Sequence, residues 1–236
     1  MSESLVIDDL EFEIRRSARR KTVSVTVDRS GKLVLSAPGD CPKDFVERIA
    51  KQKRFWIYTK LAEKERLVRP ASKKEFVSGE GFYYLGRNYR LLLVNPTASD
   101  APMPSLLFQH GRFLLRRDES QRGREHFIKW YTRRAKSWLR RKADLLSVRL
   151  DVNAHKVHVR ELGYRWGSCG RGGTVNFHWR TIMLPPCICE YIVAHELVHL
   201  REPRHTAQFW SRLERAMPDY ASRKQWLREN GSQFVL

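Results

Sequence analysis

Cysteine is scarce in this chain of 236 residues: only Cys41, Cys169, Cys187 and Cys189. Four thiols in a chain this long do not make a disulfide framework, so the expected setting is reducing and cytoplasmic. Long apolar runs are missing as well. No stretch approaches the ~18 residues of a membrane span. The start, MSESLVIDDLEFE, is acidic, where a secretory signal needs a basic start and an apolar stretch. No membrane partner is expected. Acidic side chains are few, 26 against 45 Lys and Arg, which leaves a formal charge of +19. A surplus of that size favours polyanions such as nucleic acid, but a charge count names no partner. Also missing are a glycine-rich phosphate loop, an Asp/Glu-rich magnesium site, a zinc-finger or helix-turn-helix signature, internal repeats and low-complexity segments.

What is there begins β-rich. Residues 22–27 (TVSVTV) alternate, residues 32–36 (KLVLS) follow, and the turn signal Asp28-Arg29-Ser30-Gly31 lies between them, which predicts a hairpin. Pro42 opens a helical stretch to about Leu67, with Phe45, Val46, Ile49, Phe55, Trp56 and Leu61 as its apolar and aromatic residues. Strands return over 76–94, a loop spans Pro96 to Pro104, and a second hairpin is expected over 105–116 around His110-Gly111. From about Gln121 to Leu150 the period becomes helical, with Phe127, Tyr131, Ala135, Trp138, Leu145 and Leu146 as the apolar face. Lys129, Arg133, Lys136 and Arg140 form a basic stripe on another face, which reads as solvated or as polyanion-binding. Residues 155–184 are strand-like with a bend at Gly170, Gly172 and Gly173. Pro185-Pro186 start a further helix, and shorter helices are expected over 206–217 and 219–229. The fold class is α+β, with a boundary near 118 between a β-rich N-terminal region (1–118) and a mostly helical catalytic region (119–236).

The informative segment is Val193-Ala194-His195-Glu196-Leu197-Val198-His199-Leu200, a His-Glu-x-x-His pattern within an apolar run. Helical residues four apart share one face, so both imidazoles can reach one ion. Glu196 then stands beside that ion as a general base. His205 follows after five intervening residues, six positions beyond His199. It can join only if the helix stops, because a continuing helix would rotate it off the face and carry it ~9 Å along the axis. Pro203 predicts that stop. Metzincin proteases have the same spacing with a glycine where Glu202 stands here. Glu202, three residues after His199, is the rival third ligand. Three neutral imidazoles leave a tetrahedral zinc ion one open position, which is the catalytic arrangement.

Tyr164-Arg165-Trp166-Gly167-Ser168-Cys169, Trp179-Arg180, Pro185-Pro186, His195-Glu196-Leu197-Val198-His199, His205, Phe209-Trp210 and Met217-Pro218-Asp219-Tyr220 together resemble the YgjP-like metal-dependent hydrolase family, related to the SprT-like and WLM metallopeptidases. The resemblance runs from about residue 10 to 234. It implies a zincin-like metallopeptidase fold, one zinc held by His195, His199 and His205, Glu196 as base, and the hairpin before the helix as a wall of the cleft. Two positions depart from the family pattern. Arg204 stands where an Asn commonly precedes the third His, and His178 where an Asn precedes the Trp-Arg pair.

Arg165 could stabilise an oxyanion or bind an anionic substrate, or it could only stack or pair. Tyr220 could donate to a transition state or only pack. Cys187 and Cys189, with Cys169, lack a standard zinc spacing and read as core or surface thiols. His155 and His158 read as surface residues. Three functions are open: a zinc metallopeptidase acting on peptides or proteins, a metal-dependent nucleotide pyrophosphohydrolase helped by Arg165, and a protease recruited to nucleic acid through its basic surface.

Overall fold

The alternation at 22–27 becomes a strand with the expected partner. A computed structural model describes residues 3–28, 32–67, 74–95, 103–163 and 165–236. Strand β3 (Ser24–Val27) runs antiparallel to β4 (Leu33–Pro38), with Val25 opposite Leu35. Most of the predicted Asp28-Gly31 turn, most of the Pro96-Pro104 loop, and Tyr164 lie outside the described residues. The chain divides into two compact units, Met1–Ala71 and Ser72–Leu236.

In the first unit, β1 (Glu3–Ile7) and β2 (Leu10–Ser17) complete a four-stranded sheet of order β1-β2-β4-β3, with β2 parallel to β4. Leu10, Phe12 and Ile14 of β2 point inward at period two, between outward Glu and Arg. The helical stretch after Pro42 is two helices, α1 (Lys43–Gln52) and α2 (Arg54–Leu67). They part at Lys53, whose N–H bonds to the carbonyls of both Ile49 and Ala50. Val46, Ala50 and Ile57 close the core over Phe12 and Leu35, while Phe55 is exposed.

In the second unit, β5 (Gly81–Tyr84), β6 (Arg87–Val94), β7 (Leu106–Gln109) and β8 (Arg112–Arg116) form a sheet of order β5-β6-β8-β7. The β7–β8 pair is the predicted hairpin. His110 and Gly111 both have positive φ, 48° and 71°, as a two-residue type I′ turn requires. The 28-residue helix α3 (Gly123–Leu150) packs on this sheet, with Phe82 and Phe127 rings stacked at 4.1 Å and Phe113 edge-on to Trp130 at 5.0 Å. These ring contacts place residues 81–116 in one core with the helical part. The compact units therefore divide at Ala71 and Ser72, whereas the sequence suggested a change near 118. Phe127, Tyr131, Ala135, Leu139, Ala143 and Leu146 form the buried stripe of α3. Leu145 is not part of it and stands in solvent. Lys129, Arg133, Lys136 and Arg140 are exposed as expected.

A three-stranded sheet of order β10-β11-β9 follows, built from β9 (Lys156–Arg160), β10 (Gly167–Cys169) and β11 (Thr174–His178). Helix α4 (Pro186–Val198) is apolar around most of its circumference and is packed by α3, α5 (Ala207–Ala216) and α6 (Tyr220–Asn230). Its start is held by the β5–β6 hairpin tip. The N–H groups of Leu85 and Gly86 bond to the carbonyls of Ile182 and Met183, at 2.9 and 3.0 Å. A Cβ on Gly86 would come within 2.8 Å of Pro185 Cα, so only glycine fits there. Among the described residues no helix is long and apolar enough to cross a membrane.

Candidate metal centre

The i, i+4 spacing places His195 and His199 on one face of the last turn of α4. Regular helix ends at Val198, five residues before Pro203. The chain then turns through 199–202, with the Glu202 N–H bonded to Val198 O at 2.9 Å. Pro203 has no N–H to continue the ladder. The turn returns His205 to the helix face, just before Thr206 caps α5 by accepting from the Phe209 N–H.

The three imidazoles converge. His205 Nε2 faces His195 Nε2 at 3.0 Å, and one ligand atom from each histidine lies within 4.8 Å of the others. Two nitrogens on one tetrahedral zinc, at roughly 2.0–2.1 Å each, stand about 3.4 Å apart, so the site fits such an ion. Among the described residues this is the one such cluster of His, Cys, Asp and Glu. Glu202 joins it through its backbone only. Its carbonyl lies 3.0 Å from His199 Nδ1, which fixes that nitrogen as donor and leaves Nε2 for a metal. His205 has no helix of its own to hold it. Trp210 stacks on its ring, with centroids 5.5 Å apart, and Lys224 Nζ lies 4.1 Å from the Trp210 centroid. Burial first, then the neighbouring His199, His205 and Lys224, push His195 down to about 3. Burial, His199 and Lys224 also lower His205. Both imidazoles are therefore neutral at pH 7, the form that binds metal.

Glu196 is buried beside this cluster. Burial pushes its carboxyl up to about 7, against the pull of the Arg165 guanidinium. Its carboxyl packs on the backbone of Gly167 in β10, where an added Cβ would lie 2.6 to 2.9 Å from the Glu196 Cγ, Oε1 and Cδ. In the sequence Gly167 stood out only as part of the Tyr164–Cys169 motif. Its φ is not positive, and the need for glycine comes from a contact across 29 positions that no local signal carries. The cleft above the histidines has a volume of about 690 Å³. Arg165, Ser168, Cys169 and the 170–173 bend wall it.

The profile of the YgjP-like metallopeptidase domain matches residues 21–230. The chain belongs to that family. No curated protein matches this YgjP-like chain. A solved structure, the metallopeptidase zymogen abylysin of Pyrococcus abyssi, is similar at 22% identity and a TM-score of 0.35, covering 39% of this chain and 97% of its own.

The remaining sequence candidates have definite places. Arg165 is exposed at the cleft wall. Tyr220 stacks on the ring of Trp210, 5.6 Å between centroids, and is not a cleft residue. Cys189 is buried with Sγ 2.9 Å from Thr181 O, Cys187 is exposed, and Cys169 is a half-buried thiol in the cleft. His155 and His158 are exposed. Sequence reasoning missed Glu161. Its carboxylate takes His178 Nε2 at 2.6 Å, the Trp179 indole N–H at 2.9 Å and the Gly163 N–H at 3.1 Å. Burial raises this carboxyl, but those donors outweigh it and leave it below the ordinary value. His178 thus supplies a buried polar tie.

Proposed function

We propose that this YgjP-like protein is a zinc-dependent metallopeptidase, with His195, His199 and His205 holding one zinc and Glu196 acting as general base. The observation that carries the reading is the buried carboxyl of Glu196 beside three converging imidazoles at the floor of an open cleft. Zinc bound there would polarise a carbonyl and acidify a water.

The chain's own residues supply the rest. Glu196, poised near neutrality, takes a proton from the attacking water on its carboxylate and returns it to the departing amine. Gly167 keeps that carboxylate pressed against β10. β10 is an edge strand of its sheet and lines the cleft, so an extended peptide can pair along its outer edge. Arg165 at the wall offers a cation to negative charge developing on the substrate. The exposed stripe of Lys129, Arg133 and Lys136 on α3 favours a second reading, in which the same peptidase is recruited to nucleic acid.

The test is elemental analysis with peptide cleavage on the same preparations. Wild type should carry about one zinc per chain and cleave peptides. His199→Ala should lose both. Glu196→Gln should keep zinc and lose cleavage, and full activity in that variant would sink the mechanism.

A further inference from the structure

A second cavity adjoins the metal cleft and is larger, about 850 Å³. The two share Gly172, Gly173 and Leu200, so a chain crossing that saddle touches both. Leu200 directly follows the ligand His199. Gly172, with φ of 67°, faces open space where a side chain would stand, whereas a Cβ on Gly173 would lie 2.6 Å from His155 Cδ2.

The charges of this second cavity cancel. Arg140 pairs with Asp144 at 2.9 Å, and Arg201 pairs with Asp151 at 3.0 Å. In a chain of net charge +19 this is a neutral place. A polyphosphate or nucleic-acid strand would be better served by the unpaired cations elsewhere, because the arginines here already have carboxylate partners. Apolar groups stand between the pairs, alongside the polar Ser147, Asn153 and His155. Val152 and Leu200 are half-buried and Ala154 is buried beneath them. Val148 of α3 is 84% exposed at the rim.

We infer that this cavity is a substrate subsite that takes an uncharged, apolar side chain of the bound peptide, at a position removed from the scissile bond. The inference rests on the peptidase reading and adds a specificity determinant to it. The occupant follows from continuity: a peptide paired along β10 and passing the metal continues over the Gly172-Gly173 saddle. Val148 then gains an apolar partner.

The experiment is cleavage-site profiling on a mixed peptide library with wild type and Val148→Glu. Val148 is exposed, so the variant should fold, and equal zinc content and melting temperature would verify this. Wild type should favour apolar residues at one position away from the cleaved bond. Val148→Glu should lose that preference by about 10-fold in kcat/KM, mostly through KM, and should gain Lys or Arg at the same position. A destabilised enzyme would only lose activity, so the gain is the decisive sign. Identical profiles, or a wild type that cleaves with no apolar preference away from the cut, would overturn the subsite alone. A wild type that cleaves no peptide in the library would overturn the subsite and the peptidase reading together.

Discussion

His178 Nε2 meets Glu161 Oε1 at 2.6 Å, while His178 Nδ1 accepts the backbone N–H of Arg180 at 3.0 Å. The second bond decides the first. Nδ1 is an acceptor, so the neutral ring carries its proton on Nε2 and donates it to Glu161. The segment 161–166, which leads to Arg165, is thereby tied at one end to the buried strand β11. It is tied at its other end where Trp166 O accepts from the His178 N–H at 2.8 Å.

Removing the first tie should show in activity more than in stability. Glu161→Ala leaves two buried donors without their carboxylate, but the Glu161 side chain is 58% exposed and water can enter. The cost should be about 1 kcal/mol, near the low end for such losses, or a melting shift of roughly 2–4 °C. If the tie serves Arg165, Glu161→Ala lowers kcat/KM in wild type and costs nothing further in an Arg165→Ala background. Equal losses in both backgrounds, measured on one peptide, would refute that coupling.

Gly167→Ala should be disabling without unloading the metal. The new methyl would sit 2.7 Å from Glu196 Oε1, so carboxylate or strand must shift. A displacement of that kind costs roughly 100-fold in kcat. Steady-state kinetics alongside zinc content will test it: unchanged kcat contradicts the close packing, and lost zinc shows that the damage reached the histidines.

Trp210 holds the one imidazole that comes from a loop. Trp210→Ala should weaken zinc binding by roughly 10–100-fold, the range found when groups that orient ligands are removed. Trp210→Phe should recover part of it, since a ring remains to stack. Competition with a chromophoric chelator gives the affinities directly. Wild-type affinity in the alanine variant would mean that the loop holds His205 without help.

Two groups of the metal-free site pull stability in opposite directions with pH. His195 falls from about 6.5 unfolded to about 3 folded, so between those values the unfolded chain binds a proton that the native chain does not. This contribution to stability falls as pH drops through 6.5. Glu196 rises from 4.5 unfolded to about 7 folded, so its contribution falls as pH rises between them. From pH 4.5 to 6.5 the two largely offset. Glu196→Gln removes one side of the balance. After chelation, that variant should lose stability more steeply than wild type between pH 6.5 and 4.5, as read by urea unfolding. Parallel curves would contradict the assignment.

The site was legible because its chemistry is local. Four-residue spacing puts His195 and His199 on one face, and Pro203 signals the break that brings His205 back to them. The β3 and β4 strands, the β7–β8 hairpin and the Pro186 helix start also carry short-range signals. What escaped depends on distant contacts. Leu10, Phe12 and Ile14 alternate, but charges interrupt the run. The Glu161–His178 tie spans 17 positions and the Gly167–Glu196 contact 29. The unit boundary at Ala71 depends on which core the strands 81–116 join, and Phe82 decides that by stacking on Phe127.

The hairpin tip at Leu85 and Gly86 grips the segment just before α4, at the end of that helix opposite His195 and His199. The ligand-bearing helix is therefore preorganised by apolar packing and backbone bonding, unlike small zinc domains that fold only around their ion. Chelation should strip the metal and leave a folded apoprotein. Hydrogen exchange at the amides of Leu85 and Gly86 would then stay as slow as in the loaded form, and added zinc would restore the site without a refolding step.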